Sequence, residues 1–337
     1  MKVDGGLPAS RLSDVAGHAR ELEELGYDGA LSAEVNHDPF LPLVLAAEHT
    51  ERIELGTGIA VAFARNPMTL ANVGWDLQSY SEGRAVIGLG SQIKAHIEKR
   101  FSMPWSHPAP RMRELVLAMR AIWACWNDGE PLRFEGEFYR HTLMTPFFEP
   151  GKNPYGSPKV RLAAVGKLMT EVAGEVADGL ILHAFTTERY VREVTLPALQ
   201  PGFEKAGRSR DDFEISAAVF IVMGEDDAEI AAAKRETKER IAFYASTPAY
   251  RSVLELHGWG ELQSELNALS KAGEWVAMGE RITDDMLDAF AVVGAPEEIP
   301  KLILGRYHDV VDRVLFYAPY KSDPERWARI LADFKTE

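Results

Sequence analysis

A single cysteine, Cys125, in a chain of 337 residues excludes a disulfide framework and any metal site built from several thiolates. It sits in the strongly apolar stretch 115–126, whose helical spacing points to a buried structural thiol rather than a nucleophile. Long hydrophobic runs are missing too. No segment approaches the roughly 18 consecutive apolar residues of a membrane span, and residues 1–6 lack the apolar core of a signal peptide. A cytoplasmic protein is expected. Positive charge is in deficit: 37 Lys and Arg stand against 51 Asp and Glu, a net charge of −14, which argues against nucleic acid and anionic membranes as partners. No Pro/Ser-rich linker divides the chain, so residues 1–337 are expected to form one domain with insertions.

Catalytic signatures are also thin. His37, His96 and His183 fall in separate loops with no helical His-x-x-x-His pair, so no metal centre is expected. A Gly-x-Ser-x-Gly elbow is absent. Glycoside hydrolysis needs two carboxyls at strand ends, and only Glu34 is well placed, with Asp38 in a loop nearby.

What the chain does have is a β-α rhythm. Hydrophobic residues are 46% and charged residues 26%, an ordinary globular balance. Leu12, Val15, Ala19, Leu22 and Leu25 keep helical spacing, and Gly26 is placed to end that helix. Residues 1–7 read as a short first strand, and further strand candidates follow at 29–34, 53–57 and 84–90, with helices at 40–50 and 68–80 between them. After a hairpin around Gly136 and a proline-marked loop come strands near 160–165, 180–183, 213–223 and 311–317. Helices are expected at 167–177, at 187–206 with a bend near Pro197 and Pro201, and at 226–243. Eight strand candidates in this order predict an α/β fold, a (β/α)8 TIM barrel with insertions after strands 4 and 7, at about 100–158 and 246–300. A doubly wound open sheet is the alternative, but no first-turn Gly-x-Gly-x-x-Gly supports it.

In such a barrel the functional residues lie at the C-terminal strand ends. Those ends read Glu34, Thr57-Gly58-Ile59, Gly90-Ser91-Gln92, Val165-Gly166-Lys167, His183-Ala184 and Tyr317-Ala318. The set is rich in glycine and backbone and poor in paired acids, which suits a flat, phosphate-bearing cofactor that performs the hard step itself. The phosphate feature is the strand-to-helix junction at Gly166, where the N–H groups of residues 166–169 and the helix dipole favour an anion and Lys167 adds charge.

The runs Glu54-Leu55-Gly56-Thr57-Gly58-Ile59-Ala60-Val61, Asn66-Pro67, Ser81-Glu82-Gly83-Arg84 and Gly88-Leu89-Gly90-Ser91 resemble the bacterial luciferase-like monooxygenase superfamily. Within it they are most similar to the branch that uses the deazaflavin coenzyme F-420. Arg111-Met112-Arg113-Glu114 and Ala177-Asp178-Gly179 add to the likeness, which spans nearly the whole chain. The resemblance implies a cis peptide at Gly58-Ile59 behind the deazaflavin ring. It implies cofactor contacts at Glu34, Val61, Ser91, Gln92 and His96, backbone contacts at Val165, Gly166, Leu168 and Met169, and a homodimer. Two departures are visible: Val35 follows Glu34 where the sugar-phosphate dehydrogenases of the branch carry histidine, and Ile93 stands where they carry glutamate. Their reaction is therefore not carried over. The expectation is an F-420-dependent oxidoreductase acting on a small molecule, with Glu34 and His37 as candidate catalytic groups. The alternatives are an FMN-dependent two-component monooxygenase and a non-catalytic barrel without cofactor.

Overall fold

The computed structural model describes residues 1–8 and 11–336. The first part of the chain forms β1 Lys2–Gly6, α1 Leu12–Leu25, β2 Gly29–Ser32, α2 Leu41–His49, β3 Glu54–Thr57, β4 Ala60–Val61, α3 Pro67–Tyr80 and β5 Ala85–Gly90. An insertion then supplies α4 Lys94–Lys99, α5 Pro108–Asp128 and the hairpin β6 Phe134–Glu135 and β7 Arg140–His141. The alternation resumes with β8 Lys159–Ala164, α6 Lys167–Val176, β9 Gly179–Leu182, α7 Glu188–Tyr190, α8 Leu196–Ala206 and β10 Glu214–Val222. Next come α9 Asp227–Ala245, α10 Arg251–Leu256, α11 Leu262–Ala272, α12 Trp275–Glu280 and α13 Asp284–Phe290. The chain closes with β11 Ala291–Val293, α14 Ile299–Tyr307, β12 Arg313–Tyr317 and α15 Pro324–Thr336.

Among the described residues, hydrogen bonding runs β10-β12-β1-β2-β3-β5-β8-β9, and β9 pairs back with β10. The fold is a closed parallel (β/α)8 barrel, not an open sheet. Insertions follow the fourth barrel strand, β5, and the seventh, β10, as the sequence predicts. One element lies outside that expectation: β11 adds to the edge of β10, pairing in parallel with Phe220–Val222. Its three residues carry too little periodicity to be read as a strand.

Local chemistry explains most boundaries. Helix α1 buries Val15, Ala19 and Leu22 and stops at Gly26, whose φ of 92° is left-handed. Asn66 caps α3 by accepting from the Thr69 N–H at 3.0 Å, with Pro67 at the first helical position. The bend expected near Pro197 appears one turn earlier, as a π-helical stretch at Val191–Thr195. Pro197 has no N–H to return to that turn, so the ladder slips there.

Two compact units form. One comprises Asp4–Ile181 and Ala198–Glu214; the other comprises Met1–Val3, Leu182–Pro197 and Ile215–Glu337. In the first, Trp75 meets Trp126 edge-on at 5.6 Å, and the Trp123 indole donates to the Ala71 carbonyl at 3.1 Å. Cys125 is buried beside them, and burial pushes its thiol up, consistent with a packing role. In the second unit, Phe220, Ile241, Leu266, Leu287 and Phe290 share a core in which Phe185 stacks on Phe290 at 4.6 Å. Among the described residues, no helix is long and apolar enough to cross a membrane, and no group of three or more His, Cys, Asp and Glu is suited to hold a metal ion.

Candidate functional site

The end of β3 is where the backbone departs from a plain barrel. The peptide between Gly58 and Ile59 is cis, as expected, and the chain then returns to the sheet as β4 beside β5. The segment is stitched in from both sides. The Gly58 N–H donates to the Ser32 carbonyl at 2.8 Å, and the Glu34 N–H donates to the Ile59 carbonyl at 3.1 Å. On the other side Ala60 and Val61 pair with Leu89 and Gly90.

Glu34 is the second tie. Its side chain is 7% exposed, and Oε2 accepts from the Val61 N–H at 2.7 Å and from Arg65 Nη1 at 2.6 Å. Arg65 also reaches the Val61 carbonyl at 3.2 Å and Asp38 at 3.1 Å, and lies over the Phe40 ring. The carboxylate is thus engaged in holding the bulge. In the sequence the signal for Arg65 is its place just before the Asn66-Pro67 helix start, which does not mark it as part of the site. Asp38, considered there as a second acid, serves as its partner.

The glycines divide by cause. A Cβ on Gly88 would lie 1.9 Å from the Thr57 carbonyl oxygen, while the Thr57 hydroxyl donates to the Gly88 carbonyl at 2.6 Å. A Cβ on Gly90 would meet Ile59 Cδ1 at 2.9 Å. Gly88 is therefore required by the protein's own strand-to-strand contact, whereas a side chain at Gly90 would displace only the end of the Ile59 side chain. Gly166 differs: no atom lies within 4 Å of the Cβ it lacks, and its φ of −84° suits any residue. It begins α6 with no side-chain cap, leaving the first-turn N–H groups without that partner.

The remaining expected residues fall around this frame. Ser91 and Gln92 follow β5; Ser91 Oγ donates to the Gln92 carbonyl at 3.1 Å, and Gln92 has a left-handed φ of 59°. Val165, Gly166, Lys167, Leu168 and Met169 follow β8, the neighbour of β5. Leu168 is 71% exposed, so it is not a core residue, whereas Val61 is fully buried. His96 is exposed on α4, and His37 is exposed in the loop after β2. That loop is bound to the end of α4 by Arg100, which donates to the Val35 carbonyl. The structure therefore joins Glu34, Gly58, Ile59, Val61 and Gly90 directly, sets residues 91–92 and 165–169 on adjacent strand ends, and leaves His37 and His96 in solvent.

Several of the motif residues prove to be structural. Arg84 closes the end of α2, donating to the carbonyls of Ala47, Thr50 and Ile53 and to the Thr50 hydroxyl. Glu114 accepts the N–H groups of Glu137, Phe138 and Tyr139, and so holds the β6–β7 hairpin. Its carboxylate occupies the place of a Gly136 side chain, 2.2 Å from the missing Cβ.

Comparison with known proteins agrees with this frame. The sequence pattern of the luciferase-like monooxygenases matches residues 1–313. The chain belongs to that family. An uncharacterized protein of Mycobacterium tuberculosis is 59% identical over 315 residues, 94% of this chain and 92% of that one. The 5,10-methylenetetrahydromethanopterin reductase of Archaeoglobus fulgidus is 26% identical over 333 residues, 96% of this chain and 95% of its own. Among solved structures, the coenzyme F-420-dependent tetrahydromethanopterin reductase of Methanopyrus kandleri superposes with a TM-score of 0.79 at 24% identity, covering 98% of this chain and 96% of that one. Membership of the luciferase-like family thus accounts for the barrel and for the motif residues that build it.

Proposed function

We propose that this protein is an oxidoreductase that transfers a hydride between coenzyme F-420 and a small organic substrate. The observation that supports an oxidoreductase is the end-to-end likeness to the Archaeoglobus reductase, 26% identity over 96% of the chain, and the choice of coenzyme follows the one named for the Methanopyrus reductase of the same fold. The residues fit such a group. The bulge at Gly58–Ile59 backs a flat ring. Ser91 and Gln92 follow β5, which pairs with the β4 end of the bulge; in this reading they and the exposed His96 meet the cofactor, and the open junction at Gly166 leaves room for a phosphate on the N–H groups of Lys167, Leu168 and Met169. The deazaflavin, when bound, supplies the hydride-accepting and hydride-donating carbon.

The chain's own part is to bind, orient and keep water away. Glu34 acts through the bulge it holds, since Oε2 already accepts from Val61 and Arg65. That leaves the exposed His37 as the acid–base group of this reading. Titration of the purified protein with F-420 and with FMN, following ring fluorescence, tests the proposal. Micromolar F-420 binding with far weaker FMN binding is expected; micromolar FMN binding without F-420 binding overturns it. The family's monooxygenase description favours one second reading, an FMN-dependent two-component monooxygenase. Oxygen uptake with reduced flavin separates that reading from the first.

A further inference from the structure

A second cluster of polar side chains lies at and beside strand ends in the unit containing residues 182–197 and 215–336, and the proposed cofactor contacts do not use it. His183 follows β9, Phe220 lies in β10, and Tyr317 ends β12. Tyr244, from α9, meets both the histidine and Tyr317. Its ring stands edge-on to His183 at 4.7 Å, and its hydroxyl is 3.1 Å from the Tyr317 hydroxyl. Tyr250 covers His183 from another side, with ring centres 4.6 Å apart, while Tyr317 stacks on Phe220 at 4.8 Å.

The hydrogen bonding of this cluster is incomplete in a definite way. His183 Nδ1 accepts from the Phe185 N–H at 3.0 Å, so the neutral ring carries its proton on Nε2 and can donate there. Two phenol hydroxyls bring two protons, and their mutual bond uses one, so the other is free to be donated outward. His183, Tyr244, Tyr250 and Tyr317 are all partly exposed, so a ligand can reach them. The cluster carries no formal charge. Burial lowers His183 to about 4, raises Tyr250 to about 12 and raises Tyr317 further. Arg240, exposed on α9, is the cation whose field reaches Tyr317.

We propose that His183, Tyr244 and Tyr317 form a subsite for the oxygen atom of an uncharged ligand, a ketone or alcohol on an apolar body. Donors without net charge match a carbonyl or hydroxyl oxygen. A carboxylate or phosphate entering the same place gives up its hydration, and among the described residues the exposed Arg240 is the cation whose field reaches Tyr317 to offset its charge. The aromatic walls fit the apolar remainder. Naming this ligand as the substrate class rests on the oxidoreductase reading above; the binding itself does not.

The test uses the full chain without cofactor and two probes of one shape, cyclohexanone and cyclohexanecarboxylate, followed by ligand-observed NMR titration. The ketone is expected to bind in the millimolar range and the carboxylate at least about tenfold more weakly. Tyr317→Phe and His183→Gln should each weaken the ketone about fivefold, the worth of one hydrogen bond. If Tyr317→Phe does not fold, Tyr244→Phe carries the same measurement. Carboxylate binding as tight as the ketone, ketone affinity unchanged in the variants, or no ketone binding at all overturns the proposal. The same variants titrated with F-420 keep the two readings apart. Ketone binding lost with F-420 binding intact supports the subsite, and ketone binding without any F-420 binding defeats only the cofactor assignment.

Discussion

Glu34 illustrates how a strand-end acid changes meaning once its neighbours are known. Read alone it is a proton donor facing an active site; in the fold it fastens the bulge through Val61 and Arg65, whose side chain is itself only 18% exposed. Removing it leaves the Val61 N–H without its acceptor and takes from a largely buried guanidinium one of its two carboxylate partners. Glu34→Ala is therefore expected to lower stability by about 3 kcal/mol, and Glu34→Gln, which keeps an acceptor, by about 1 kcal/mol. Urea denaturation checks the difference, and equal losses for the two variants count against the anchoring role. Binding of F-420 should weaken more in Glu34→Ala than in Glu34→Gln, because the bulge loses its tie rather than a reacting group.

At the scale of elements, the glycine-ended strands make two different demands. Gly88 admits the Thr57 carbonyl, so β3 and β5 approach each other at a spacing that a side chain forbids. Gly166 faces open space at the start of α6. Gly88→Ala is expected to cost about 3 kcal/mol or to prevent soluble folding, because a backbone oxygen cannot swing aside. Gly166→Ala should fold as well as the parent, or slightly better through a less flexible unfolded chain. Its F-420 affinity should fall about tenfold, since a methyl group then stands where a phosphate approaches the N–H groups. Circular dichroism and fluorescence titration of the two variants read both effects. An unchanged affinity in Gly166→Ala removes the phosphate assignment. Arg84 and Glu114 belong to this scale too: their positions are legible as motifs, yet one closes a helix and the other holds a hairpin.

For the molecule as a whole, the largely buried His183 makes stability depend on pH. Burial lowers His183 from its ordinary 6.5 to about 4. Between these values the unfolded chain binds a proton that the folded chain does not. The neutral ring's contribution is thus fully present above pH 6.5, falls as pH drops through that value, and levels off below about 4. The span amounts to about 3 kcal/mol. Stability measured by urea at pH 7 and pH 4 should therefore fall less in His183→Gln than in the parent, by about that amount. Identical falls, or a His183 ring that titrates near 6.5 by NMR, contradict the burial account. Burial of this kind is invisible in a lone His183 after an apolar run, which is why the sequence placed it at a strand end but assigned it no partner.

The order and number of the barrel strands, both insertions and most helix boundaries were determined by the sequence itself, and the cis position by the resemblance its motifs carry. Each is recorded locally, in apolar period, in turn residues such as Gly26, or in contiguous motifs. Tertiary structure alone decided which residues those motifs serve. It joined Glu34 to Arg65, 31 positions away, and drew Tyr244 to Tyr317, 73 positions away. It also showed Gly88 to be filled by its own neighbour and Gly166 to be open. Contacts between distant positions depend on strand register and side-chain direction, and no local pattern in the chain encodes either.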